Sequence, residues 1–137
     1  MKLLDFIICD DIRQEANNKL SLMGIYNEKI VFQHSKKTPP KWPLHLKLGC
    51  YLRVQFDANE PRPNKGFINY KLNGAELISA PIEIELEQNP IWVFFLIAEN
   101  FAIAEPGKLE ISSEFQKSGE LLGKYDVSVQ ILTKEHD

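Results

Sequence analysis

The chain has 137 residues, 44% of them hydrophobic and 26% charged, and a net charge of −3, the profile of a single domain (1–137) able to bury a core without disulfides or metals. That balance excludes a disordered chain, and lysines and arginines spread along the sequence exclude the electrostatic footprint of a nucleic-acid binder. The longest apolar run, IWVFFLIA from Ile91, is too short to span a bilayer, so no membrane insertion is expected.

MKLLDFIICDD opens with one Lys and an apolar run, but two acidic residues arrive before a secretory h-region is complete and no cleavage site follows. It reads as a first strand, Leu3 to Cys9. With no export signal the expected compartment is the cytoplasm, where Cys9 and Cys50 remain a reduced, buried pair instead of an immunoglobulin-type bridge. Alternation then lapses over DDIRQEANNKLS, which reads as a loop with a short helical turn that Asp10 would cap. KLSLMGIY restores the alternation as a second strand, with Gly24 marking a bulge or a close backbone approach, and EKIVF follows as a short strand.

HSKKTPPKWP holds two adjacent prolines and a third at Pro43, which cannot donate to a ladder; it predicts a long crossing from one sheet to the other. From Leu46 to Phe56 the positions two apart (Leu46, Leu48, Cys50, Leu52, Val54, Phe56) are all apolar. This is a long strand with one face in a core and Lys47, Arg53 and Gln55 turned to water. DANEPRPNKG is a solvated loop tip. FINYKLNGAELIS is a hairpin, because Asn73-Gly74 supplies the two positive-φ residues of a type I′ turn.

Pro81 is expected to separate that hairpin from IEIELE, whose Ile82, Ile84 and Leu86 point inward while Glu83, Glu85 and Glu87 point outward. Gln88-Asn89-Pro90 then turns the chain. IWVFFLI lacks alternation and reads as a strand buried on both faces, with Trp92 in the core. AENFAIAEPG fits either a helical turn or a short strand. KLEISSEF and KYDVSVQIL form a final antiparallel pair across the polar connection QKSGELLG, and the TKEHD tail is expected to fray. The sum is an all-β chain: an antiparallel two-sheet β-sandwich, immunoglobulin-like, C2-like or jelly-roll-like, of 8–9 strands.

Site chemistry is sparse. Asp10, Asp11 and Glu15 after the first strand, with Asp57 and Glu60 after the central one, are carboxylates that strand-end loops would gather around calcium, although no Asp-x-Asp or EF-hand spacing is present. The plainer role of Asp and Asn at such positions is to turn the chain. His34, His45 and His136 are isolated, no Gly-x-Ser-x-Gly elbow or glycine-rich phosphate loop occurs, and neither cysteine has a nearby histidine. No catalytic residue and no cofactor are therefore assigned. Trp42 is suited to stacking on a sugar or anchoring a partner, and equally to lidding the core. The row Glu83, Glu85, Glu87 suits a ridge for a basic partner, or a guard against edge-to-edge aggregation.

The stretch ICDDIRQEANNKLSLMGIYNEKIVF, from Ile8 to Phe32, resembles the N-terminal signature of a family of small uncharacterised bacterial proteins, a domain of unknown function. Asp10, Asp11, Arg13, Asn18, Lys19, Leu20, Ser21, Leu22, Gly24 and Tyr26 carry the resemblance. It implies a bacterial or phage-borne cytosolic protein and carries no activity with it. An Asp-to-Arg13 or Asp-to-Lys19 bond would fix the connection structurally; alternatively Asp10, Asp11, Arg13 and Glu15 form an exposed polar site.

The leading functional expectation is a non-enzymatic interaction or assembly module that meets a protein partner or a second copy of itself through loops or an edge strand. A ligand-binding sandwich for calcium, lipid headgroups or carbohydrate is the alternative, using the strand-end carboxylates and Trp42. A hydrolase with a scattered loop site is the third.

Overall fold

The computed structural model describes residues 1–84 and 90–136. Among these residues nine strands and one 3-10 turn make two facing sheets, the expected sandwich. A four-stranded sheet holds β1 (Lys2–Glu15), β2 (Lys19–Tyr26), β4 (Leu44–Gln55) and β7 (Ile91–Ile103) in the order β2-β1-β4-β7. A five-stranded sheet holds β3 (Lys29–Ser35), β5 (Lys65–Leu72), β6 (Ala75–Glu83), β8 (Gly107–Lys117) and β9 (Glu120–His136) in the order β3-β9-β8-β5-β6.

The alternation on β4 does what its period demands: Leu48, Cys50, Leu52, Val54 and Phe56 are buried. Facing them are Ile68 and Tyr70 of β5, Leu109, Ile111 and Phe115 of β8, and Ile131 of β9, all in one core cluster. Aromatic contacts stitch the sheets together: Tyr70 meets Phe101 at 5.0 Å between ring centroids, and Trp92 meets Phe115 edge-on at 5.7 Å. Trp92 thus packs against the core as expected.

The two tight hairpins follow from their turn residues. Asn73 and Gly74 have φ of 50° and 83°, and Ser118 and Gly119 have 51° and 84°, the backbone a two-residue turn between right-twisted strands requires. The second of these shortens the expected polar connection QKSGELLG to two residues, with strand on either side. HSKKTPPKWP crosses from β3 in one sheet to β4 in the other, as its prolines predict.

Several expectations are corrected. The segment DDIRQE is strand, not loop and helical turn: β1 runs on to Glu15 and pairs with β2 through Glu15↔Lys19, so Asp10 caps no helix. Only Ala16–Asn18 turns, and Asn17 and Asn18 supply its positive φ of 64° and 57°, a conformation asparagine tolerates well. Pro81 does not end a hairpin; it lies inside β6 opposite Phe67, which is permissible because β6 is a sheet edge where a missing N–H breaks no ladder. The tail does not fray from Thr133 to His136, which pair with Phe32 to Ser35 in a parallel ladder between β3 and β9; Asp137 lies outside the described residues. Of the two states open to AENFAIAEPG, AENFAI takes the strand, as the continuation of β7.

IWVFFLI is also different from its expected state. It opens β7, which is an edge strand and is not buried on both faces: Val93 is 44% exposed. Ile82 and Ile84 of IEIELE are buried and Glu83 is exposed, as its alternation requires. The remainder of that segment, including Glu85, Leu86, Glu87 and the Gln88-Asn89 turn, lies outside the described residues.

Cys9 and Cys50 are both buried free thiols. Cys50 follows the inward-facing set of β4, whereas Cys9 pairs with Gly49 on the opposite face of the sheet. A Cβ at position 49 would come within 3.0 Å of the Cys9 sulfur, so glycine there makes room for the thiol. Neighbouring residues with side chains on opposite faces cannot be bridged. No helix among the described residues is long and apolar enough to cross a membrane.

Candidate functional site

β1 belongs to two ladders in succession. From Lys2 to Cys9 it pairs with β4, and from Ile8 to Glu15 it pairs with β2. Beyond Cys9 it therefore leaves β4, and its outer half forms with β2 a two-stranded arm. All the positions that carry the family resemblance fall on this arm. The arm lies over the outer face of the four-stranded sheet: Asn18, Leu20 and Leu22 line one hollow of about 340 Å³ together with Tyr51 of β4 and Val93 of β7. Gln14, Glu15, Asn18, Lys19 and Leu20 line an adjoining hollow of about 300 Å³ with Val93 and Phe95.

Lys47 holds the arm down. Its ammonium lies 2.8 Å from an Asp11 carboxylate oxygen and 3.8 Å from Glu99 of β7, so one cation ties arm, central strand and edge strand. The Asp11 carboxyl is held below the usual range, first by its bond to Lys47 and then by the Ile12 N–H and Arg13. The Lys47 ammonium is correspondingly raised by Asp11. Arg13 Nε reaches the other Asp11 oxygen at 3.4 Å from an exposed position. Of the two bonds expected to fix the connection, the one from an Asp to Arg13 is this 3.4 Å contact, while the shorter 2.8 Å bond of Asp11 goes to Lys47 of β4 and not to Lys19.

Asp10 has a different partner. It accepts a hydrogen bond from the Tyr26 hydroxyl across the arm, and burial, then the Asp10 bond, raise the Tyr26 phenol above its ordinary range. Gly24, at φ 65°, lies beside this carboxylate, and a Cβ there would overlap it. The expected close backbone approach at Gly24 is this one.

The carboxylates proposed for calcium are not brought together. Asp57 and Glu60 follow the end of β4, whose Gln55 pairs with Lys2. Asp10 lies eight residues further along β1, about 27 Å at the rise of a strand. Glu60 is engaged locally: it accepts the Asp57 N–H at 2.6 Å and pairs with the α-ammonium of Met1, which lowers its carboxyl below the usual range. Among the described residues no group of three or more His, Cys, Asp or Glu is placed to hold a metal ion. Trp42 is half-buried, packs against the core and meets Phe32 edge-on at 6.3 Å, the lid arrangement.

What the structure does assemble is an apolar floor with a polar rim. Tyr51, Val93 and Phe95, with Leu20 and Leu22 from the arm, supply the floor; Gln14, Glu15, Asn18 and Lys19 supply the rim. Of the candidate carboxylates only Glu15 lies here, beside Asn18, Lys19, Leu20 and Leu22, which carry the resemblance. Val93 and Phe95 were missed because the unbroken apolar run IWVFFLI conceals which of its positions face outward. Leu20 and Leu22 were legible as alternating, but alternation does not say that their strand folds over a sheet.

β7 borders this floor as a bare edge. Among the described residues no strand pairs with it on the side away from β4. Each of the other three edges carries a device that discourages pairing. On β2 these are Lys19 and the positive-φ Gly24; on β3, Lys29 with Gln33 and His34; on β6, Glu76, Pro81 and Glu83. β7 carries no charge, proline or glycine from Ile91 to Ala98. Its first charge, Glu99, coincides with the register shift between Leu46 and Leu48 on β4, where two residues of β7, Glu99 and Asn100, oppose Lys47 alone. No protein-family model matches the chain, and no curated protein matches it.

Proposed function

We propose that this chain is a non-enzymatic interaction module that accepts a polypeptide strand along the outer edge of β7 from Trp92 to Ala98. The observation that carries this reading is the contrast among the four sheet edges. Three are guarded, and the fourth presents an uncharged apolar run beside a half-covered apolar floor. A long bare edge aggregates unless something occupies it. An added strand would satisfy the outward main-chain N–H and C=O groups of β7, and its side chains would extend the floor over Val93 and Phe95. The arm, tied by Lys47, sets one wall and the rim.

The test is photo-crosslinking in the source organism with p-benzoylphenylalanine at position 95. A polypeptide adduct is expected there and not from the same group at Ile78 on β6. No adduct at position 95, or equal adducts at both, would contradict the reading.

A further inference from the structure

We infer that the strand accepted by β7 is β7 of a second copy of this chain, paired antiparallel about a two-fold axis at Phe95; the inference rests on the reading above. Such a pairing would join the two four-stranded sheets into one of eight, in the order β2-β1-β4-β7-β7-β4-β1-β2. Two-fold symmetry requires a surface that complements itself, and this edge does so in size and in charge.

In size, the register sets Trp92 opposite Ala98 of the second copy, Val93 opposite its Ile97, and Phe94 opposite its Leu96. The largest side chain of the run meets the smallest. The outward residues Val93, Phe95 and Ile97 of both copies make one continuous apolar stripe, and such cross-strand apolar pairs are the unit of sheet stabilisation.

In charge, the run from Trp92 to Ala98 has none, so no like charges face one another. The same run offers a foreign strand no charge by which it can be told from any other. Glu99 falls beyond the paired stretch, so the two Glu99 carboxylates stand at opposite ends.

Light scattering on the full chain, combined with cysteine crosslinking, tests this. The expected mass is twice the 15.8 kDa of the chain. Val93→Lys, at an exposed outward position, is expected to weaken the dimer by about tenfold or more in Kd with an unchanged circular dichroism spectrum, whereas Ile78→Lys on β6 leaves the mass as it was. For the register, Phe95→Cys is expected to crosslink with itself on mild oxidation. Val93→Cys alone does not, because four residues along a strand separate it from its copy by about 13 Å. Val93→Cys/Ile97→Cys does, which gives a second reading should Phe95→Cys fail to fold. A dimer that Val93→Lys leaves intact would overturn the inference. A monomer whose photo-adduct at position 95 contains a different protein would overturn it while leaving strand acceptance by β7 standing. A monomer with no adduct would overturn both.

Discussion

Lys47 on β4 and Asp11 on β1 are joined at 2.8 Å across the place where β1 leaves its ladder with β4. Past that fork the arm has no main-chain bond to β4, so side chains alone hold it over the sheet. The ion pair, the buried Ile12 packed against Gly49, and the apolar contacts of Leu20 and Leu22 do so. Replacing Lys47 with Met keeps the stem and removes the charge. Backbone amides of Leu20 to Met23 are expected to exchange faster in this variant by hydrogen-exchange mass spectrometry, while the core strands β8 and β9 exchange as before. Unchanged exchange in β2 would show that the pair does not anchor the arm.

The same pair fixes a pH dependence. The Asp11 carboxyl is lowered in the folded protein, so its contribution is complete above the pH at which a free aspartate ionises, about 4. It is lost as the pH falls through the lower folded value. The Lys47 ammonium is raised, so its share is complete below about 10.5 and is lost as the pH climbs through its raised value. Arm exchange, corrected for intrinsic rates, is therefore expected to be level between these limits and to accelerate outside them.

Gly24 is the arm's most constrained position. Its φ of 65° and the Asp10 carboxylate beside it mean that Gly24→Ala adds backbone strain and also displaces the acceptor of the Tyr26 hydroxyl. A loss of roughly 1–2 kcal/mol is expected from the left-handed backbone alone, measured by urea unfolding. Gly74→Ala, with a φ of 83° and open space around it, incurs only the backbone part.

Burial explains the thiols. The Cys50 thiol is pushed up to about 12 by desolvation and then by Cys9, and burial likewise raises Cys9. The thiolate is the reactive form. Both thiols are expected to resist a disulfide reagent at neutral pH in the folded protein and to react together on unfolding. Rapid labelling of either in the native state would contradict their placement.

Tyr70 is fully enclosed, and its hydroxyl finds no hydrogen-bond partner among the described residues. Burying such a group carries a desolvation cost that Phe avoids at nearly the same shape. Tyr70→Phe is expected to hold or raise stability by up to about 1 kcal/mol in the same urea experiment.

The sequence and the structure agree where side-chain period alone decides the outcome. Leu48 to Phe56 could face only one way, and Asn73-Gly74 could make only a tight turn. They part where tertiary context decides. Asp10 to Glu15 alternate poorly because their strand leaves the sheet, with Asp11 and Asp10 spent on Lys47 and Tyr26 instead of on turns. Val93 and Phe95 read as core because an apolar outer face and an apolar inner face look the same in one dimension. Pro81 reads as a stop, and only the position of β6 at an edge lets the strand continue. The candidate site was correspondingly obscure: Glu15 was visible as a charge on a polar stretch, while the floor beside it depends on two distant segments meeting.

Pairing of β7 with β7 of a second copy is tested most directly by hydrogen exchange of its amides across a hundredfold range of protein concentration, since association protects by mass action. Protection of Val93 to Ala98 is expected to rise with concentration while the amides of the guarded edge β6 stay constant. Exchange in β7 that is fast and independent of concentration, with the chain monomeric throughout, would contradict pairing between copies at this edge.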